Sequence, residues 1–411
     1  MERSFDKLPA KPLTCLPMKP IPAHLQTLVG QPSSQIDTPA LVIDLDAMER
    51  NIARMATFAR QHGVLWRPHA KLHKSAQIAL WLEQAGAVGH CVQKLSEAEA
   101  LARGGVRKLY ISNEMVSPTK LARVAALALS LQAQGGRLAM AVDSDTGISA
   151  LAQSMQNAHA GDDSIDVLVE IEVGQGRCGV APGAAAVALA RAIHAQPTLR
   201  FAGLQAYHGG AQHLRTAAER HAAIAQVLEH VQRTRQAFEA AELSIPLITG
   251  AGTGTMVNEA ASGVYGEIQP GSFLVMDADY AVNERDPAQP AFEHALFVKT
   301  QVMSRNNERA VCDAGHKAHA IDSGLPTVHG LARHQALRFR NGGDEHGVLY
   351  PNSEAGNTSG WLPALGDALW LVPGHCDPTF NLHDHLIGVR GGLAQGVVEC
   401  IVAVDARGAL T

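Results

Sequence analysis

Short apolar runs alternate with longer amphipathic segments from about residue 38 to residue 248 of the chain. The segments between the apolar runs carry hydrophobic residues at helical spacing, as in Asp46–His62 and His213–Ala241. The apolar runs predict eight β-strands, at Ala40–Asp44, Val64–Arg67, Val88–Val92, Lys108–Ser112, Leu138–Asp143, Asp166–Val173, Phe201–Tyr207 and Ile245–Thr249. Strands that are apolar nearly throughout predict a parallel sheet covered on both faces. Eight strand–helix repeats favour an α/β fold with a (β/α)8 barrel of the TIM type, while an open doubly wound sheet is the alternative.

The pattern changes after Gly271, where strand-like runs follow one another with little helix between them and with frequent Gly and Pro. These runs are Phe273–Met276, Phe297–Met303, Arg309–Asp313, Ala368–Val372 and Gly396–Val404. We therefore expect the barrel to span residues 36–275 and a second, mainly β domain to span residues 276–411. The proline-rich leader, residues 1–35, is expected to pack against this second domain.

Composition narrows the classes of function. The 411 residues include 34 basic and 39 acidic ones, a net charge of −5, with no basic patch of the kind that binds nucleic acid or anionic membrane. No apolar stretch reaches the roughly 20 residues of a membrane span, and the N-terminus has no apolar core typical of a secretory signal. Six scattered cysteines without CxxC pairs fit reduced thiols. We expect a cytoplasmic protein that acts on a small molecule.

Lys71 is the first candidate for chemistry. It follows the run Val64–Arg67, at the C-terminal end of a predicted barrel strand, where barrel enzymes place their catalytic groups. Most lysines are solvated surface residues, but this one has His69, His73 and Lys74 close by in sequence. Their positive charge predicts a lowered pKa for Lys71 and a nucleophilic neutral amine. Such a lysine can hold a carbonyl compound as a Schiff base.

Two glycine-rich segments follow predicted strands. The segment TGAGTGT, residues 249–255, comes after the eighth strand, where barrels commonly bind phosphate through bare backbone N–H groups. A flexible turn is the alternative interpretation. The segment GQGRCG, residues 174–179, formally matches the GxGxxG pattern of dinucleotide sites. It follows the sixth strand, however, and the next strand ends in Tyr207 and His208 without the acidic residue that a ribose would need, so the pattern disfavours NAD.

The segment YHGGAQH, residues 207–213, brings an aromatic ring and two imidazoles to the end of the seventh strand. One such histidine is more often structural, but Tyr207, His208 and His213 together indicate stacking and proton transfer at the barrel mouth.

A second chemical motif lies in the β domain, where His375, Cys376 and Asp377 are consecutive. In an extended segment His375 and Asp377 would face the same way, so the imidazole and the carboxylate could share a metal ion. This ligand pair suits zinc, manganese or magnesium. His383-Asp384-His385 lies close by in sequence and could compete, although a surface loop is an equally good interpretation.

These segments together resemble a known family. TPALVID (residues 38–44), RPHAK (67–71) and EVGQGRCG (172–179) resemble the fold-type III pyridoxal-phosphate (PLP) enzymes, the alanine-racemase-like group. PGHCDPT (373–379) is similar to their metal-dependent branch, which includes D-threonine aldolases, 3-hydroxy-D-aspartate aldolases and dehydratases, and D-serine dehydratases. The resemblance covers residue 36 to the C-terminus.

The resemblance implies a role for each candidate residue. Lys71 would carry PLP, and Arg177 would lie beside its ring. Gln93, Tyr207 and His208 would line the cofactor pocket, with His213 near the substrate hydroxyl as a catalytic base. The resemblance further implies that the phosphate is held by Gly252, Thr253, Gly254 and Thr255, and a divalent metal (Mn, Mg or Zn) by His375 and Asp377. It also implies a homodimer.

The metal motif bears on the reaction. D-Serine dehydratases of this family tend to carry His-x-Cys, whereas D-threonine aldolases carry His-x-Asp, and this chain has His375-x-Asp377. We therefore expect a D-threonine aldolase, a carbon–carbon lyase that cleaves D-β-hydroxy-α-amino acids to glycine and an aldehyde. The alternatives are a 3-hydroxy-D-aspartate aldolase and a D-serine or 3-hydroxyaspartate dehydratase that releases ammonia and a keto acid. A non-catalytic PLP carrier is disfavoured by the second domain.

Overall fold

The fold is described from a computed structural model of the chain, which covers residues 19–158, 164–330, 332–351 and 361–411. Cys15 and most of the predicted leader lie outside these ranges, so their placement stays a prediction. Within the described part of the chain, no helix combines the length and the apolar character that crossing a membrane requires.

Eight parallel strands form a closed barrel, as the sequence predicts. Their order in the sheet is β2-β9-β8-β7-β6-β5-β4-β3. The two end strands meet through a bridge between His69 and Cys91, and the Cys91 N–H donates to the Pro68 carbonyl at 2.9 Å. The strands are β2 Leu65–Trp66, β3 His90–Val92, β4 Lys108–Ile111, β5 Arg137–Val142, β6 Ile165–Glu170, β7 Leu199–Ala206, β8 Ile248–Gly250 and β9 Glu267–Ile268.

Helices surround this barrel and bury their apolar faces against it. The first of them, Leu45–His62, begins where the Asp44 side chain accepts the Ala47 N–H at 3.0 Å and ends at Gly63, which is left-handed with φ 65°. The barrel helices are α2 Leu45–His62, α3 Ala76–Gln84, α4 Leu95–Arg103, α5 Pro118–Gln132, α6 Asp145–Asn157, α7 Ala184–His194, α8 Ala217–Ala240 and α9 Met256–Ala261.

The predicted first barrel strand is wrong. Strand β1, Ala40–Asp44, pairs with strands of the other sheet, antiparallel to one and parallel to another. Its place in the barrel is taken by β9, Glu267–Ile268, which has two residues and was not predicted. An apolar run of five residues predicts a buried strand, but it does not indicate which of two sheets the strand joins.

The second sheet has nine strands and lies beside the barrel. Its main path runs β13-β14-β11-β10-β1-β16-β17, with β15 joined to β10 and β12. Its strands besides β1 are β10 Leu296–Arg305, β11 Ala310–Cys312, β12 Thr327–His329, β13 Leu337–Asn341, β14 Gly347–Pro351, β15 Ala368–Val372, β16 His385–Arg390 and β17 Val397–Ala403. The four further helices are short, α1 Ala23–Gln26, α10 Ala278–Ala281, α11 Ala332–Gln335 and α12 Cys376–Phe380.

The strand predicted at Phe273–Met276 is wrong, because Ser272–Leu274 forms a 3-10 turn there. The four strands predicted beyond it overlap β10, β11, β15 and β17. One hydrophobic core joins the barrel to the second sheet, since Trp66 and Leu72 pack in the same cluster as Leu296 and Phe380. The predicted domain boundary between residues 275 and 276 therefore stays a prediction. The barrel and the second sheet share buried surface.

Candidate active site

Lys71 lies just beyond β2, at the mouth of the barrel, and contacts the second domain. Its Nζ is 3.0 Å from Asp377 Oδ2, and the side chains are 45% and 16% exposed, respectively. The barrel lysine and the second-domain motif, predicted separately from sequence, therefore meet at one place.

The predicted lowering of the Lys71 pKa is wrong. The Asp377 carboxylate raises the pKa of Lys71, and this effect outweighs the cost of burying the ammonium group. The neighbouring imidazoles contribute little positive charge, because burial lowers the pKa of His73 to about 3 and that of His69 well below its usual value. In the structure Lys71 is therefore a charged group paired with a carboxylate.

Gln93 is linked to Lys71 through His69, in a polar network that also includes Ser112. Gln93 Nε2 is 3.0 Å from His69 Nε2 and donates to Ser112 Oγ at 3.1 Å. The Lys71 backbone N–H approaches His69 Nδ1 at 3.4 Å. Gln93 thus contacts the residue that supports the lysine.

Arg177 lies over the ring of Tyr207, with its guanidinium carbon 5.6 Å from the ring centroid. Burial raises the pKa of Tyr207, while the charges of Lys71 and Arg177 lower it in part, as expected for a phenol facing two cations. The structure therefore brings Lys71, Arg177, Tyr207 and Asp377 together.

The turn that carries Arg177 explains why GxGxxG is not a dinucleotide site here. Glu172 Oε1 accepts the N–H groups of Gly174 at 2.7 Å and Gly176 at 2.9 Å. These are backbone donors that a phosphate would need, and a carboxylate in their place repels an anion. Gly174 and Gly176 adopt φ values of 118° and 67°, so the glycines serve the shape of the turn.

His213 and His208 have different environments. His208 Nδ1 accepts the Ala211 N–H at 3.2 Å and so closes a turn. His213 is half exposed, and its Nδ1–H donates to Asp279 Oδ2 at 2.8 Å. Arg215 also donates to Asp279, at 2.5 Å, and its charge and the hydrogen bonds hold the carboxyl pKa low against the cost of burial. This arrangement leaves Nε2 as the unprotonated nitrogen of a neutral His213.

The predicted phosphate loop is tightly held by Gln212. Gly254 donates its N–H to Gln212 Oε1 at 2.9 Å, and Gln212 Nε2 donates to Thr255 Oγ1 at 2.8 Å. A Cβ at Gly252 would lie 2.5 Å from Gln212 Oε1, which explains a glycine there. The Thr253 hydroxyl accepts the Phe273 N–H at 3.0 Å. One backbone donor and two hydroxyl groups of this loop therefore have partners inside the protein, and its phosphate role stays a prediction.

His375 and Asp377 do not lie in an extended segment. Cys376–Phe380 is a short helix, and His375 precedes it as the N-cap residue. His375 Nδ1 is 2.6 Å from Asp322 Oδ2, whereas Asp377 pairs with Lys71. Among the described residues, no group of three or more His, Cys, Asp or Glu side chains is arranged to hold a metal ion. The competing His383 is partly buried, with Nε2 2.8 Å from the Ala318 carbonyl.

Sequence reasoning missed four supporting residues. Asp279 and Asp322 hold the two site histidines, and Gln212 holds the glycine loop. These three residues lie 66, 53 and 42 positions in sequence from the groups they hold, and no local pattern predicts such contacts. Glu170 gave a signal, since it ends the strand IDVLVE, in which all six residues are buried. An acidic residue at the end of a fully buried strand requires a partner.

The chain is similar to known proteins over most of its length. Residues 43–279 match the model "Alanine racemase, N-terminal domain" and residues 295–389 the model "Putative serine dehydratase domain". The chain is 43% identical to a D-threonine aldolase from an Arthrobacter species, over 92% of this chain and 95% of that one. It is 40% identical to a 3-hydroxy-D-aspartate aldolase from Paracoccus denitrificans, over 93% and 95%.

A solved structure extends the similarity to three dimensions. The D-threonine aldolase from Filomicrobium marinum superposes with a TM-score of 0.86 at 44% identity, covering 93% of this chain and 99% of that one. The barrel and the second-domain sheet are thus features of a known group. The chain belongs to the fold-type III PLP enzymes that combine an alanine racemase N-terminal domain with a serine dehydratase domain.

Proposed function

We propose that this enzyme is a D-threonine aldolase, which cleaves D-β-hydroxy-α-amino acids to glycine and an aldehyde. The observation that carries the proposal is the 3.0 Å contact between Lys71 of the barrel and Asp377 of the His-x-Asp motif. It brings a lysine suited to the cofactor next to a carboxylate suited to a metal. The similarity to two aldolases at 40% identity or above supports the same reaction.

The residues present fit PLP. The Lys71 side chain is 45% exposed at the barrel mouth, and Arg177 and Tyr207 provide a cation and an aromatic ring beside it. When bound, PLP supplies an electron sink for breaking the Cα–Cβ bond. The chain's own residues then orient the amino acid and shield it from water.

The residues also support a divalent metal, for which His375 and Asp377 would be the protein ligands. The Asp322 carboxylate fixes the His375 Nδ1–H, so the remaining nitrogen, Nε2, has the lone pair that a metal ligand needs. Asp377 becomes available when Lys71 no longer holds it as an ion pair. The metal would act as a Lewis acid on the substrate hydroxyl.

His213 is the base in this proposal. Because Asp279 accepts the Nδ1–H, Nε2 can accept the proton of the β-hydroxyl as the Cα–Cβ bond breaks. Arg215 holds Asp279 from the other side, which fixes the orientation of the imidazole.

Product analysis tests the reaction. Incubation with D-threonine is expected to yield glycine and acetaldehyde in equal amounts, and D-serine is expected to give little ammonia. Both products can be measured by chromatography and an aldehyde-coupled assay. Ammonia and a keto acid as main products would instead establish the dehydratase alternative, and faster turnover of 3-hydroxy-D-aspartate would establish the 3-hydroxy-D-aspartate aldolase.

Removal of the metal tests its ligands. Treatment with a chelator is expected to lower aldolase activity by about a hundredfold or more, since Lewis-acid catalysis contributes several kcal/mol. Addition of Mn²⁺, Mg²⁺ or Zn²⁺ should restore it, except in Asp377→Ala and His375→Ala. Full activity after exhaustive chelation would exclude the metal.

A further inference from the structure

A buried pair of carboxyl groups lies behind Arg177, outside the residues assigned above. Glu170 ends β6 and is 3% exposed, and Glu114 follows β4, two strands away in the same barrel. The two carboxyl groups face each other within hydrogen-bonding range. No N–H or O–H donor among the described residues reaches Glu170 Oε2 or either carboxylate oxygen of Glu114.

One proton resolves this arrangement. Two carboxylates in contact inside a protein cannot both be ionised without a large cost, whereas one shared proton makes a hydrogen bond between them. Burial, and then Glu114, raise the pKa of Glu170 to about 8. The other groups that face the pair are Arg177, Cys178 and Tyr110, and burial followed by Glu114 raises the pKa of the Cys178 thiol to about 11.

The pair is connected to the active site through Arg177. Glu170 Oε1 lies 3.6 Å from an Arg177 guanidinium nitrogen, and the same guanidinium lies over Tyr207. We propose that Glu170, sharing one proton with Glu114, is a positioning residue that holds Arg177 in the active site and sets the net charge beside it. The consequence for catalysis rests on the proposed function, because it requires Arg177 to lie beside the cofactor.

The pair makes stability depend on pH in a defined direction. A raised pKa means that the folded protein binds this proton more tightly than the unfolded chain. The stabilisation that this proton gives the folded protein is therefore fully present below pH 4.5, the ordinary glutamate pKa, and is lost as the pH rises towards about 8. Over that range the pair carries one negative charge opposite Arg177, and above it two.

Infrared difference spectroscopy on the whole enzyme tests the shared proton directly. The parent at neutral pH is expected to show the carbonyl stretch of a protonated carboxyl group, which disappears with a midpoint near the pKa of about 8. Glu170→Gln should remove this band by removing the acid, and Glu114→Gln should lower the pH midpoint of the band, because burial alone then raises the pKa of Glu170. Spectra of variant minus parent separate it from Glu259, a second buried acid whose pKa burial raises to about 7.

A matched control is Glu99→Gln, which removes another Glu–Arg pair, that with Arg123 at 2.6 Å on the outer helices. It should leave the infrared band and the pH dependence of Tm unchanged. In Glu170→Gln and Glu114→Gln, Tm should fall less steeply than in the parent as the pH approaches about 8. If the parent has no protonated carboxyl band, or if Glu114→Gln leaves the pH midpoint of that band unchanged, the shared proton is excluded.

The positioning role has its own readout. Glu170→Gln leaves the pair's negative charge on Glu114 and removes the carboxyl group 3.6 Å from the Arg177 guanidinium, so the pH midpoint of the bound cofactor's visible band should fall, and kcat should fall on the order of tenfold. Glu114→Gln keeps the carboxyl group of Glu170 beside Arg177 and should change both much less. The positioning role of Glu170 would be rejected if Glu170→Gln and Glu114→Gln had equal effects. It would also be rejected if Glu170→Gln lowered Tm but left the visible band of the cofactor unchanged. These spectra do not depend on which products form, so a wrong assignment of the reaction would show only in the product analysis.

Discussion

Replacing Lys71 with alanine is expected to abolish the visible absorption band of the bound cofactor and to lower aldolase activity by about a thousandfold or more. The alanine variant has no amine to hold the cofactor carbonyl, and Asp377 loses the cation that is 3.0 Å away. Absorption spectra before and after reduction with borohydride, together with aldehyde release from D-threonine, measure both effects.

Lys71→Arg is the matched control for this change. An arginine keeps a positive charge for Asp377 but does not form a Schiff base, so it should be as inactive as the alanine variant while retaining more of the parent Tm. An alanine variant that kept the cofactor band would show that another group holds the cofactor, and the central assignment would be wrong.

Replacing His213 with alanine is expected to lower kcat by about 10² to 10⁴-fold, the range typical of a general base, with KM changed little. Asp279→Asn should produce much of the same loss although the base is present, because an asparagine amide that donates to Nδ1 would leave the proton on Nε2. Steady-state kinetics with D-threonine measure both variants, and the cofactor band should be unchanged in each.

The comparison of these two variants identifies the role of the dyad. If His213 were only structural, its replacement would lower the Tm of the enzyme without a selective loss in kcat. If Asp279→Asn keeps full activity, then Asp279 does not set the protonated nitrogen of His213, and its contact with Arg215 serves only the packing of α10.

The fold was largely predictable because apolar runs and helical spacing are local properties of the chain. β4, β5, β6 and β7 overlap the predicted runs, and these strands are buried nearly throughout. β9 was missed because two residues carry no periodicity, and β1 was placed in the wrong sheet because apolar character does not identify a partner strand.

The site was predictable where chemistry lies in one segment and not where it depends on distant segments. Lys71, Arg177 and the His375–Asp377 motif could be identified from their local sequence. The sign of the Lys71 pKa shift was wrong because Asp377 comes from the other domain. Asp322, in a loop, and Asp279, in the short helix α10, orient the two histidines, from which they lie 53 and 66 positions away in sequence.

The placement of β1 has a consequence for synthesis of the protein. This strand precedes the rest of its sheet along the chain, and it lies between β10 and β16, whose residues follow it by about 250 positions or more. Until those segments are translated, β1 is an apolar strand with two unpaired edges. Such a strand can associate with other chains. A chain that ends before residue 385 lacks β16 and leaves one edge of β1 unpaired. We therefore expect such a truncation to lower the yield of folded protein more than deletion of a surface loop of the same length.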